Sequence, residues 1–330
     1  MVTAETVRKD GTTVTDPSWG GKNTAEKLDA LYPTSAANRL VLSWSDQWVT
    51  SKHKGGVPFK WATDQTYLST AQKAMLGDTG SVVKTNGQNR LNYIRGDRGL
   101  EGSDSTGYTT AKPFRERKSI QGDIINSMVW YTGAPASNYA LKGYAAFTRD
   151  NAARPHMIYV GGNDGMLHGF TANASTPTGT DGGTEKIAYV PRGVIPKLPE
   201  LTDPIFNDKH KFFVDGSPMT GDVDLGTGNP DDASYTPNWR TLLVGTLGAG
   251  GRGYFVLDVT NPDKEPDGTN IKAPKFAEGN AAQLEHMSVQ RTVTAIADAD
   301  LSNATLRLEA WKSADLSAQS AGDALARTER

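Results

Sequence analysis

The sequence predicts an all-β fold of short strands and frequent tight turns, and three observations carry that expectation. The 330 residues include 35 glycines and 17 prolines, a supply of turn formers that leaves little room for long helices. Apolar runs of roughly four to eight residues recur, rich in Val, Ile, Tyr, Phe and Trp, each closed by Gly, Pro, Asn or Asp. No helical pattern of roughly 10–15 residues separates these runs, as a parallel α/β sheet would require. A sandwich, barrel or propeller fits such spacing.

The elements follow in chain order. Residues 1–35 are polar and rich in Thr, Gly and Asp, and read as an irregular lead-in or linker. Within them TAEKLDAL suggests a short helix with Leu28 and Leu31 on one face. Residues 39–44 (RLVLSW) read as a strand. Ser69 and Gln72 have the spacing of a capping box before a second short helix at 71–76. Strand-like runs then occupy 124–132, 157–160, 166–170, 187–190, 211–214, 239–247 and 254–259. Residues 36–277 are therefore expected to form the β-rich body. Residues 278–330 are rich in Ala, Asp, Glu and Ser, and are expected to form a helical or disordered tail.

Composition excludes several chemistries. Cysteine is absent, so disulfides, thiol catalysis and thiolate metal sites are excluded. The net charge of -2 argues against a nucleic-acid partner. No apolar run reaches the roughly 18 residues of a membrane span. The first residues lack the apolar core of a signal peptide, so the chain reads either as cytoplasmic or as a piece of a longer exported one.

Several motifs invite functional readings. Gly248 to Gly253, including Gly250 and Gly251, has the GxGxxG spacing of a dinucleotide fingerprint. The run that follows, YFVLDV with Asp258, is strand-like, so the helix N-terminus that such a loop needs is missing. A glycine-rich loop between two strands fits better. In MIYVGGNDGMLHGF (157–170), Asn163, Asp164 and Gly165 mark a hairpin turn between apolar strands, and further oxygen ligands for a metal do not follow. Asp263, Glu265 and Asp267 have the first offsets of a calcium loop but lack its closing carboxylate. Arg95, Gly96 and Asp97 spell RGD, the tripeptide that integrins recognise. Gly96-Asp97 and Gly122-Asp123 read as turn-forming pairs, and Asp215-Gly216 ends one strand-like run. The five histidines, His168 and His210 among them, show no HxH or HExxH spacing.

Five blocks taken together are more specific than any of these motifs. LNYIRGDRGLE (91–101), FRERKSIQGDIINSMVWYTGAP (114–135), MIYVGGNDGMLHGF (157–170), HKFFVDGSPMTGDV (210–223) and WRTLLVGTLGAGGRGYFVLDVTNP (239–262) occur in order. In that order they resemble the C-terminal β-propeller region of the PilY/PilC family of type IV pilus biogenesis factors and tip-associated adhesins. GVPFKW (56–61) also fits.

The resemblance implies a partial β-propeller that is not an enzyme. It also implies action at the cell surface or pilus tip of a bacterium, reached through the periplasm and outer membrane. The expected roles are pilus assembly, twitching motility and attachment, with minor pilins and other tip components as partners, and host or abiotic surfaces as contacts. The family further implies calcium, but its DxNxDGxxD-type loop is not found in this chain, and no other cofactor is visible. The expected propeller is incomplete or truncated, because blade-like spacing fades after Asp298-Ala299-Asp300. The RGD block recurs in the family as a block, which implies a structural turn or internal ion pairs. The site residues named above are then family-motif structural residues. The runner-up is a quinoprotein-like propeller dehydrogenase, whose blade repeat YVGGNDG also resembles. A third reading is a truncated fragment without function of its own.

Overall fold

The computed structural model of the chain describes residues 1–46, 55–63, 66–77, 87–103, 105, 107–263 and 275–290. Residues 1–290 form one compact unit.

The first 35 residues are tied to the body by apolar contacts as well as turns. β1 (Glu5–Val7) and β2 (Thr13–Thr15) pair as a small antiparallel hairpin. Trp19 is 2% exposed and packs on Ile158, Val160 and Phe170. Its indole N–H donates to the Ala172 carbonyl at 2.8 Å. α1 (Thr24–Leu31) opens with a complete capping box between Asn23 and Glu26. Only one of its two leucines faces inward: Leu28 is buried, whereas Leu31 is 49% exposed.

β3 (Val41–Trp44) and β4 (Gly56–Pro58) follow. α2 (Thr70–Met75) carries the capping box of Ser69 and Gln72 that the sequence suggests. α3 (Gly87–Arg95) covers the first part of the RGD block, where sequence reasoning expected a turn. Leu91 and Ile94, three residues apart, put one face of this helix into the core.

β5 is confined to Trp130–Thr132. The expected strand at 124–132 starts late because upstream amides donate to side chains. Asn126 donates to Asp215 and Met128 to Ser217, which leaves no ladder to extend. α4 (Tyr144–Asp150) then precedes β6 (Met157–Gly161), β7 (Leu167–Thr171) and β8 (Glu185–Val190). β6 and β7 are buried along their whole length, so their sequences are near-continuous apolar runs instead of alternating ones.

The run at 211–214 is not a strand. Its amides go to loops: Phe213 donates to the Asn163 side chain and Val214 to the Gly162 carbonyl. The strand comes later, as β9 (Met219–Asp224), followed by β10 (Trp239–Thr246), β11 (Gly253–Asp258), α5 (Ala281–Leu284) and β12 (Glu285–Gln290).

Two four-stranded antiparallel meanders result, one after the other in the chain. β5 to β8 pair in sequence order, as do β9 to β12. The first meander is widened by β3, which runs parallel to β8, and then by β4. The opening strands β5 and β9 lie beside each other. The Trp130 indole donates to Thr220 Oγ1 at 2.9 Å, and Thr132 Oγ1 meets the same hydroxyl at 3.2 Å. Arg154 joins the sheets more deeply, donating to the Gly133 carbonyl just after β5, to Thr241 on β10 and to the Thr260 carbonyl just after β11. Successive four-stranded meanders with adjacent opening strands are blades of a β-propeller, here a partial one. A single core, including Leu167, Tyr189, Leu243 and Phe255, runs between them. Among the described residues no helix is long and apolar enough to cross a membrane.

Candidate functional site

The turn between β6 and β7 organises the polar interior of the first blade. Gly162 donates its amide to the Met166 carbonyl at 2.8 Å, closing the loop, and the Asp164 carboxylate receives the Met166 amide at 3.2 Å. Gly165 takes φ +94°, in the region where a Cβ is strained, so glycine is required at that corner. Asn163 is 3% exposed. Its Oδ1 accepts the Phe213 amide at 3.0 Å and its Nδ2 donates to Asp123 at 3.1 Å, while its own amide donates to the Asp123 carbonyl at 3.0 Å. The turn therefore pins two distant loops.

Four charged groups continue inward from this turn. Gly122 donates its amide to Asp164 at 2.8 Å. His168, on β7, has its Nε2 3.1 Å from the same carboxylate oxygen and 3.2 Å from the other, and its Nδ1 2.8 Å from Glu185. Glu185, at the start of β8, receives a bidentate fork from Arg39 at 2.7 and 2.9 Å. Arg39 and His168 are fully buried. Anion and cation alternate along the row.

The environment fixes their protonation. Burial alone would lower His168, but the attraction of Asp164 and bonds from both carboxylates outweigh it and hold the imidazole up at about 9. Burial would raise Glu185, yet Arg39 and then His168 pull it down to about 2. Asp164 is likewise lowered against its burial, mainly by His168. At neutral pH His168 is thus an imidazolium donating from both nitrogens. It has no free lone pair to take a proton or ligate a metal.

Other singled-out residues are placed by similar framework contacts. Arg95 is 4% exposed. Its guanidinium donates to the carbonyls of Phe59 at 2.9 Å and Arg39 at 2.7 Å, with Ala36 and Ala37 at 3.2 and 3.3 Å. Burial lowers it to about 10. Gly96 follows α3, and the Asp97 carboxylate receives the Gly99 amide at 2.6 Å. The arginine of the RGD tripeptide is therefore inside the protein, beyond the reach of a receptor. The internal ion pairs implied by the family fall on its neighbours instead: Arg98 pairs with Asp29 and Glu101, and Arg117 with Glu101.

Asp215, 3% exposed, accepts from the backbone and side chain of Asn126 at 3.2 and 2.7 Å. Gly216 packs against Thr246. Gly250 and Gly251 lie in the loop between β10 and β11, which connects strand to strand as expected. A Cβ on Gly250 would land on the Phe213 carbonyl. Gly250→Ala is expected to destabilise the protein by about 2 kcal/mol, as overpacking against backbone does, measured as a lower urea midpoint at unchanged slope. Asp258, at the end of β11, accepts from Thr260 at 2.6 and 2.9 Å. His210 and Asp123 form a half-exposed pair at 2.8 Å, so His210 and His168 do not meet. Asp263 stands 3.6 Å from Lys186, while Glu265 and Asp267 lie outside the described residues. Among the described residues no group of three or more His, Asp or Glu is placed to hold a metal ion.

Sequence reasoning missed Arg39 and Glu185. They lie 146 residues apart and belong to no local motif. The available signal was a charged residue at the edge of an apolar strand run in each case.

Residues 121–278 match the family model of the PilY1 beta-propeller domain. Over 205 residues the chain is 40% identical to a type IV pilus biogenesis factor PilY1 homolog of Xylella fastidiosa (strain Temecula1 / ATCC 700964), covering 60% of this chain and 14% of that protein. Over 292 residues it is 34% identical to type IV pilus biogenesis factor PilY1 of Pseudomonas aeruginosa (strain PAK), covering 82% of this chain and 22% of that one. The crystal structure of the Pseudomonas aeruginosa PilY1 C-terminal domain is 32% identical, over 41% of this chain and 23% of that chain, at a TM-score of 0.27. The chain thus spans between 14% and 22% of the length of these two curated relatives.

Proposed function

Because the chain belongs to the PilY1 β-propeller family, matched over residues 121–278, we propose that it serves type IV pilus biogenesis by contact and not by catalysis. One observation carries the non-enzymatic reading. The most chemically suggestive cluster, Asp164–His168–Glu185–Arg39, is spent on itself: Arg39, His168 and Glu185 are buried, only Asp164 is partly exposed, and all four are paired. A general base needs an accessible lone pair near the operating pH, and His168 has none. In this reading the charged row anchors the β6–β7 turn, and the surfaces of the blades do the work. The chain acts at the cell surface or pilus tip. Minor pilins and other tip components are its partners, and adhesion and twitching follow from pilus assembly. The chain itself takes no cofactor, and any calcium dependence resides in a loop other than those described.

The test is genetic. Deleting the codons for residues 121–278 in the bacterium that carries the gene is expected to reduce surface pili severalfold in electron micrographs, with loss of twitching zones and restoration by the intact gene. Unchanged pilus counts would overturn the reading. Dye reduction by the purified chain with added quinone and calcium would instead favour a dehydrogenase.

A further inference from the structure

Residues 1–23 bury a single side chain, that of Trp19. β1 and β2, in the same stretch, pair only with each other and stand in solvent. Among the described residues two hydrogen bonds reach from this stretch to the first blade, both at the indole or its neighbour. Trp19 Nε1 donates to the Ala172 carbonyl at 2.8 Å, and the Gly182 amide donates to the Ser18 carbonyl at 3.0 Å. Val2 and Ala4 add only partly buried contacts.

The indole lies in a slot that the blade builds by itself. Ile158, Val160 and Phe170 pack against the ring from the sheet. Gly182 and Gly183 close the other side: a Cβ on either would stand 2.6 Å from an indole carbon, well inside the roughly 3.5–4.0 Å of carbon–carbon contact. That wall is held without its occupant. The Gly183 amide donates to the Thr171 carbonyl at 2.7 Å, and the Thr171 hydroxyl donates to the Asp181 carbonyl at 3.0 Å. The turn that presents Trp19 is equally self-contained, with Asp16 accepting the Ser18 amide at 2.8 Å and Gly20 at φ +62°.

We propose that residues 1–23 are a detachable strap, and that the slot under Trp19 is a docking site for a tryptophan-bearing segment of a partner protein, which displaces the strap. The chemistry selects an indole. The walls are apolar side chains or bare backbone, and the Ala172 carbonyl accepts one N–H. Phenylalanine or leucine would leave that carbonyl without its donor. A stretch anchored by one side chain opens more often than the blade beneath it unfolds.

The slot stands independently of the pilus role, and its test does not require pili. A fluorescein-labelled peptide of residues 13–23 is titrated into the full chain and into its Trp19→Ala variant, with binding read by anisotropy. The variant is expected to melt cooperatively and to bind the peptide saturably. The parent should bind at least tenfold more weakly, because its own strap fills the slot. The same peptide carrying Trp19→Ala should bind neither. In the parent, the Trp19 indole N–H should exchange with deuterium at least a hundredfold faster than the amides of β6 and β7, and sedimentation should show a monomer. Loss of the cooperative melt in Trp19→Ala, no peptide binding to that variant, equal affinity for variant and parent, or an indole N–H exchanging no faster than β6 and β7 would each overturn the proposal. A Trp19-dependent dimer would overturn it in favour of a second copy as the occupant.

Discussion

Arg39→Met is expected to cost about 3–5 kcal/mol, the range for removing one partner of a buried ion pair. The Arg39 side chain is fully enclosed and gives Glu185 two of its hydrogen bonds, and its remaining Nη1 donates to the Arg95 carbonyl at 2.9 Å. Methionine matches the stem but leaves the carboxylate of Glu185 in a dry interior with only His168 opposite. The same arginine ties the start of β3 to the start of β8, the one parallel junction in the larger sheet. Its loss should therefore loosen the N-terminal region as well as the blade. Urea denaturation gives the number. The double variant Arg39→Met with Glu185→Gln removes both charges and is expected to recover at least about 1 kcal/mol, the coupling of neighbours that share a network. A single variant within about 0.5 kcal/mol of the parent would mean that the pair is not a structural element.

Stability is expected to peak between pH 4.5 and 6.5 and to fall on both sides, for reasons set by the same row. His168 is held up at about 9 from its ordinary 6.5. Its contribution is complete below pH 6.5 and is lost as pH rises through 9. Glu185 is held down at about 2 from 4.5, and Asp164 is lowered in the same sense. Their contribution is complete above pH 4.5 and is lost as pH falls towards 2. Each excursion is worth about 3 kcal/mol if taken alone. The two sides report one shared attraction, so they do not add. Melting temperatures at pH 3, 5.5 and 9.5 check the shape, and His168→Gln should flatten the alkaline side. A flat profile from pH 5.5 to 9.5 in the parent chain would contradict this account.

Much of the framework was legible in the sequence, because it is written locally. The hairpin at 157–170 declares itself through an Asn-Asp-Gly turn between apolar runs, and the structure places β6 and β7 there. The capping box of Ser69 and Gln72 is a four-residue signal and forms as read. The strand-to-strand nature of the glycine loop at 248–253 follows from the aromatic and β-branched residues after it. Most of what escaped was non-local. Phe213 sits in a strand-like run, yet its amide is claimed by Asn163, 50 residues away. The RGD block looks like a charged turn, yet Leu91 and Ile94 make its first part a buried helix. The row from Asp164 to Arg39 joins a turn, two strands and a segment from the beginning of the chain. Its two unrecognised members carry no motif because their chemistry is supplied by residues 146 positions away.

The structural role of the charged row requires His168 to be a clamped imidazolium and not a base. Titrating the purified chain with ¹⁵N-labelled histidine and following the His168 ring nitrogens by NMR measures this directly. Both nitrogens should carry protons at pH 7.4, with deprotonation only near pH 9. A neutral ring at pH 7.4, titrating at or below 6.5, would contradict the structural role of the row and return it to the candidates for chemistry.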